Sequence, residues 1–274
     1  MKNVNKIVVF DLDETLGYFM EFGMFWEAFI NYLKYKNKNA NLSQKQFNDI
    51  LDLYPEFCRP NILKILEYLK IQKEKCICNK IMIYTNNQGP IEWVENIKSY
   101  FEMKLNYKLF DQIIAAFKVN GKTIEICRTS HIKSHKDLVR CSKIPLHTHI
   151  CFLDDTFYPK MSNNNIYYIN IKPYIYDLAF DMIITRFLNS EIVKEYEITN
   201  KNEFKEYITS FMNNYQYLYV KKKPEEFNID KLLSDQILMH LHIFFDKIPN
   251  SNTRKNNYKR IKEKEKHKSR KNIK

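Results

Sequence analysis

Apolar residues along this chain arrive in two alternating rhythms. Short unbroken runs, "KIVVF" at 6–10 and "KIMIY" at 80–84, have the length and β-branched content of strands buried on both faces. "HICFL" at 149–153 and "IYYIN" at 166–170 repeat the pattern. Between them the period changes to that of helices. "MFWEAFINYL" predicts one helix, and a second starts near Ser43, with Gln46 three residues on as a capping box. "RPNILKILEYLK" predicts a helix entered at Pro60 with Ile62, Leu63, Leu66 and Leu69 on one face, and "GPIEWVENIKSYF" another entered through a proline. Asn120-Gly121 between two β-like runs is a hairpin signal, and "SHKDLVRCS" reads as a short helix.

Strand, helix, strand over residues 1–172 predicts an α/β, Rossmann-like parallel sheet, with a small helical insert at 17–56 after the first strand and a β-hairpin after the third. After Pro173 the strand signals stop. Helical spacing through Phe204, Ile208 and Phe211, then Leu233, Ile237, Leu241 and Phe244, predicts a helical extension over 173–250. Residues 251–274 are almost without apolar side chains and are expected to form a basic, disordered tail.

Charge adds one correction to this outline. The formal net charge of +12 is concentrated at the end: residues 254–274 carry a net +9, and the other 253 residues are near balance. The tail is a candidate for nucleic-acid contact. Only four glycines occur, and neither a dinucleotide-binding nor a P-loop glycine pattern is present. No run reaches the length of a membrane span, and no secretory signal is visible. Six cysteines in 274 residues do not read as a disulfide framework. An intracellular protein, cytoplasmic or nuclear, is expected. Cys76, Cys78, Cys127, His131, His135 and Cys141 raise a zinc possibility, but their spacing fits no standard site.

The candidate chemistry lies where strands end. "IVVF" runs into Asp11 and Asp13, "IMIY" into Thr85 and Asn86, and "ICFL" into Asp154 and Asp155; Lys136 leads toward the third of these strands. In open parallel sheets ligands bind beyond the carboxyl ends of strands, so these pieces would converge. Converging carboxylates need a cation among them, and an all-oxygen set favours Mg²⁺. A metal with a lysine, a hydroxyl and a backbone N–H is suited to a phosphoryl group. Lys136 would neutralise the phosphate, while Thr85 Oγ and the Asn86 N–H would hold its oxygens. Asp11 and Asp13, two residues apart on extended chain, project to one side. One can attack phosphorus while the other manages the leaving group's proton.

"DLDETL" resembles the first motif, D-x-D-x-T, of the haloacid dehalogenase superfamily of phosphohydrolases, and "IMIYT", Lys136 and "FLDD" resemble its second to fourth. The resemblance implies that Asp11 forms an aspartyl-phosphate and that Asp13 acts as general acid and then base. Asp13 would also ligate Mg²⁺ through its backbone carbonyl. Thr15 would fix the turn, Lys136 would pair with Asp11 and phosphate, and Asp154 and Asp155 would complete the metal set. "CRPNILKILEYL", the hairpin followed by "HKDLVRCSKIP", and "LDDTFYP" are similar to the phosphatases of the RNA polymerase II C-terminal domain. That likeness implies a protein Ser/Thr phosphatase acting on a phosphoprotein or phosphopeptide. "TNNQGP" looks more like sugar- and polynucleotide-phosphatase relatives, so a polynucleotide 3′-phosphatase or small-molecule phosphatase is the alternative; a non-catalytic interaction protein with this fold is a further one. The aromatics Phe19, Phe22, Phe25, Trp26 and Phe29 are expected either to wall the cleft or to pack as ordinary helix core.

Overall fold

The computed structural model describes residues 5–246. The tail at 251–274 lies outside the described residues. Five parallel strands form the central sheet in the order β3-β2-β1-β6-β7. They are β1 (Lys6–Phe10), β2 (Lys80–Tyr84), β3 (Gln112–Ile114), β6 (His149–Asp154) and β7 (Ile166–Asn170). The short strands β4 (Lys118–Val119) and β5 (Lys122–Thr123) pair separately as an antiparallel hairpin. At its tip Asn120 and Gly121 both take left-handed φ, +48° and +78°, as a two-residue hairpin turn demands. The apolar run "QII" belongs to the main sheet as β3, not to the hairpin.

Chain order explains how the helices divide. From β1 the chain steps one way along the sheet to β2 and β3, then crosses back to β6 and on to β7. Right-handed crossovers in opposite directions place their connections on opposite faces. On one side lie α1 (Met20–Tyr35), α2 (Gln44–Leu51) and α3 (Ile62–Glu74), which all precede β2, and α4 (Ile91–Leu105), which follows it. The return crossing carries only α5 (His135–Ser142), on the other side.

Side-chain alternation in β1 feeds both faces. Val8 and Phe10 join the cluster under α1–α4, whereas Ile7 and Val9 join a smaller cluster with Leu138, Cys141 and Met161. The C-terminal helices α6 (Phe180–Leu188), α7 (Lys201–Asn213) and α8 (Pro224–Asp246) enlarge the first cluster. α7 packs on α1 and α6, and α8 on α3 and β7.

The insert helices are therefore core. Phe19, Phe22, Phe25 and Phe29 are buried, and Phe22 sits among the rings of Phe47, Tyr54, Phe57 and Trp93. They do not wall a cleft: their ring partners include Phe47 of α2, Phe101 and Trp93 of α4, Phe187 of α6 and Phe204 of α7. α2 begins with the expected capping box, Ser43 Oγ accepting from the Gln46 N–H and Gln46 Oε1 from the Ser43 N–H.

Candidate active site

Strand order reverses beside β1, whose neighbours are β2 and β6. This is the switch point at which open α/β sheets bind ligands. Asp11 follows β1 directly, Thr85 follows β2, and Asp154 ends β6. Register holds these ends level, since Phe10 pairs with Ile83 and with Leu153.

Beyond β1 the chain folds into a tight loop. Glu14 takes φ +57°, and isolated bridges join Asp13 to Gly17 and Gly17 to Cys58. A Cβ on Gly17 would come within 2.4 Å of the Phe57 carbonyl, so the close approach needs glycine. Buried Arg59 secures this loop: Nε donates to the Thr15 carbonyl at 2.6 Å, and Nη2 donates to the Glu14 and Lys172 carbonyls. Thr15 Oγ1 donates to Asp155 Oδ1 at 3.3 Å, which ties the loop to the end of β6.

The lysine at the site is Lys133, not Lys136. Lys133 is 1% exposed, and its Nζ donates to Asp11 Oδ1 at 2.5 Å and to Asp154 Oδ2 at 2.7 Å. Lys136 lies in the first turn of α5 with an exposed side chain. The reason is local. Ser134 caps α5, its Oγ accepting from the Asp137 N–H at 3.1 Å. The helix thus starts between the two lysines; Lys133 stays on the extended approach over the sheet edge, while Lys136 turns outward. The Ser-x-x-Asp spacing of 134–137 is the sequence signal that separates them.

Asp11, Asp154 and Asp155 bring carboxylate oxygens within 4.8 Å of one another. An all-oxygen, acidic donor set of this kind fits Mg²⁺. The Asp13 side chain lies outside this group: its Oδ2 accepts from Asn87 Nδ2 at 2.9 Å. Asn87 carries no sequence signal that marks it for this role. Nor does Arg128, which is buried and donates to the Thr85 and Ala115 carbonyls and to Asn86 Oδ1. Thr85 Oγ1 accepts from the Asn87 N–H at 2.9 Å, and Asn86 Nδ2 donates to the Tyr158 hydroxyl at 3.0 Å. Thr85, Asn86 and Asn87 are therefore held as a rigid loop facing Asp11 and Asp13.

Burial drives the electrostatics. It pushes the Asp11 and Asp154 carboxyls up, and Lys133 offsets part of the effect on each. Lys133 loses basicity to burial, but Asp11 and Asp154 more than restore it, so it stays charged. Burial and then the neighbouring Asp11 raise Asp13 to about 6, within reach of proton transfer at neutral pH.

Cys127 and Cys141 are joined by a disulfide, which removes both from the zinc possibility; Cys76 is exposed and Cys78 buried apart from them. Among the described residues no helix is long and apolar enough to cross a membrane. No protein-family model, no curated protein and no solved structure matches the chain.

Proposed function

We propose that the protein is a Mg²⁺-dependent phosphomonoester hydrolase working through an aspartyl-phosphate. The observation that carries this reading is the buried Lys133 bridging Asp11 and Asp154 at the switch point, with Asp13 and Thr85 alongside. Asp11, Asp154 and Asp155 would hold the metal, which supplies charge neutralisation for the phosphoryl group. An Asp11 carboxylate oxygen attacks phosphorus, and the bond from phosphorus to the leaving oxygen breaks. Protonated Asp13 gives its proton to that oxygen, then removes one from water, whose oxygen attacks phosphorus as the bond to Asp11 breaks. Inorganic phosphate leaves and both aspartates are regenerated. Lys133 keeps its charge throughout and faces the developing negative charge.

The likeness to the polymerase-tail phosphatases loses one support, because the lysine of "HKDL", Lys136, is not the one beside Asp11. Hydrolysis of p-nitrophenyl phosphate with added Mg²⁺ tests the reaction. Asp11→Asn should lower it at least about 1,000-fold without unfolding the protein. Activity in that variant above about 1% of wild type would remove Asp11 as nucleophile.

A further inference from the structure

The hairpin, the loop that carries Lys133 and α5 are built from one basic stretch. Residues 117–149 contain seven Lys or Arg against two acids, Glu125 and Asp137. Asp137 is buried and pairs with Arg140, and Lys133 is spent on Asp11 and Asp154. Lys118, Lys122 and Lys136, with Lys160 from the neighbouring turn after β6, have no carboxylate partner among the described residues. On the helical side many lysines are paired, Lys45 with Asp49, Lys73 with Asp111, Lys98 with Glu95 and Lys104 with Asp52, although Lys34, Lys201 and Lys231 have no carboxylate partner among the described residues. Four lysines without a carboxylate thus lie on the hairpin, on α5 and on the turn after β6.

Flat apolar surface lies among them. Phe157, two residues past Asp155, is 58% exposed and stacks on Tyr168 with centroids 5.5 Å apart. Tyr158, next in sequence, bonds to Asn86 in the phosphate loop, which fixes Phe157 beside the site. At the entry to the hairpin half-buried Phe117 packs against His131, with Lys118 Nζ 5.2 Å from the centre of its ring. His131 is tied to the same loop through Arg128, which donates to the His131 carbonyl and to Asn86 Oδ1.

The geometry points to a single-stranded nucleic acid bearing a terminal phosphate as the substrate of this site. The terminal monoester would enter beside Asp11, the end base would rest on Phe157 or Phe117, and Lys118, Lys122, Lys136 and Lys160 would neutralise the following diesters. Cations tracking a backbone between aromatic platforms are the common device for holding single strands. This inference rests on the phosphatase reading for its chemistry, and on the charge and ring placement for its substrate.

The test compares the full-length protein with the triple variant Lys118→Glu, Lys122→Glu, Lys160→Glu, whose basic tail is unaltered. kcat/KM is measured with Mg²⁺ on 3′-phosphorylated and 5′-phosphorylated 12-mers, a phosphoserine peptide and p-nitrophenyl phosphate. The preference for oligonucleotide over aryl phosphate should fall at least tenfold in the variant. The slope of log KM against log salt should flatten by about 2, at roughly 0.7 for each phosphate that the variant no longer neutralises. The two oligonucleotides decide which end is used. A preference unchanged within twofold, or a peptide tenfold better than either oligonucleotide, overturns the inference. If wild type hydrolyses nothing, the phosphatase reading fails. Fluorescence anisotropy with an unphosphorylated 12-mer then decides the surface: tenfold weaker binding by the variant supports it, and equal binding rejects it.

Discussion

The two faces of the sheet are built for different ends. One carries seven helices, its core runs without interruption from Val8 to Phe245, and its surface lysines are largely paired. The other is covered by α5, a hairpin and irregular loops over a core of about a dozen side chains. Its buried cation, Lys133, is committed to the strand ends, and its surface lysines Lys118, Lys122, Lys136 and Lys160 have no carboxylate partner among the described residues. The difference follows from chain order, because only the return crossing from β3 to β6 and the last step to β7 lie on the thin side. Stability is concentrated where helices stack, and the proposed site lies against the face that has few. Both faces also bury carboxylates: on the thin one Asp11 and Asp154 share Lys133, and on the thick one Asp230 pairs with Lys222 and Lys172, whereas Glu21 and Asp177 have no lysine among the described residues. Three experiments put weight on these contrasts.

The largest effect should come from the two lysines. Lys133→Ala leaves Asp11 and Asp154 facing one another with no fixed cation, and should lower aryl phosphate turnover about 1,000-fold or more. Lys136→Ala removes an exposed side chain and should cost less than about threefold. Steady-state kinetics at saturating Mg²⁺ separates them. A greater loss from Lys136→Ala would mean that α5 starts elsewhere in the active protein.

The second experiment weighs the thick face. Phe22→Ala removes a fully buried ring from among five others and should destabilise the protein by about 3–5 kcal/mol in urea titration. A loss under about 1 kcal/mol would show that the insert is not part of the core. Measured well below its melting point, the same variant should keep aryl phosphate turnover within about threefold, because no ring of this group touches Asp11, Lys133 or Asp154.

What the sequence discloses divides along the same line. Four of the five sheet strands and the start of α2 follow from periodicity and from the capping pair Ser43 and Gln46, which are local signals. β3 is three residues long and merges with the hairpin signal, since "QII" carries no mark of the sheet that it joins. At the site, Asp11, Asp13, Thr85 and Asp154 stand at strand ends and are legible there. Lys133 stands in a loop between two lysine-bearing segments, and only the cap at Ser134 distinguishes it from Lys136. Arg59 and Arg128 are not legible in the sequence: each acts through backbone carbonyls brought in from distant segments, and no residue pattern marks a carbonyl acceptor.

The smallest effect belongs to the carboxylates that have no lysine. Glu21, in the first turn of α1, is buried, and both of its oxygens accept from the Leu178 N–H at 3.1 and 3.2 Å. Next to it Asp177 accepts from the Tyr217 hydroxyl at 2.6 Å and the Val220 N–H at 2.9 Å. Among the described residues neither acid has an ion-pair partner of its own, unlike Asp11 and Asp154, which share Lys133. Burial, and then Asp177, push Glu21 up to about 8, with the Leu178 N–H offsetting a little. In the unfolded chain the same carboxyl titrates near 4.3. The folded state therefore binds more protons between these values, and stability falls as pH rises from about 4.5 to about 8, then levels off. Glu21→Gln keeps an acceptor for Leu178 and removes the titration. Relative to wild type the variant should gain about 1–2 kcal/mol between pH 5 and pH 8, the full shift being discounted for solvent screening. That corresponds to roughly 3–6 °C in melting temperature for a chain of this size. Asp11, Asp13 and Asp154 also sit above their ordinary values and give wild type and variant the same downward slope, so the difference between the two curves isolates Glu21. A difference in melting temperature that stays constant within a degree across that range would show that Glu21 is ionised in the folded protein. The thick face would then hold an unpaired buried charge at no measurable cost, and its contrast with the lysine-bridged pair of the thin face would disappear.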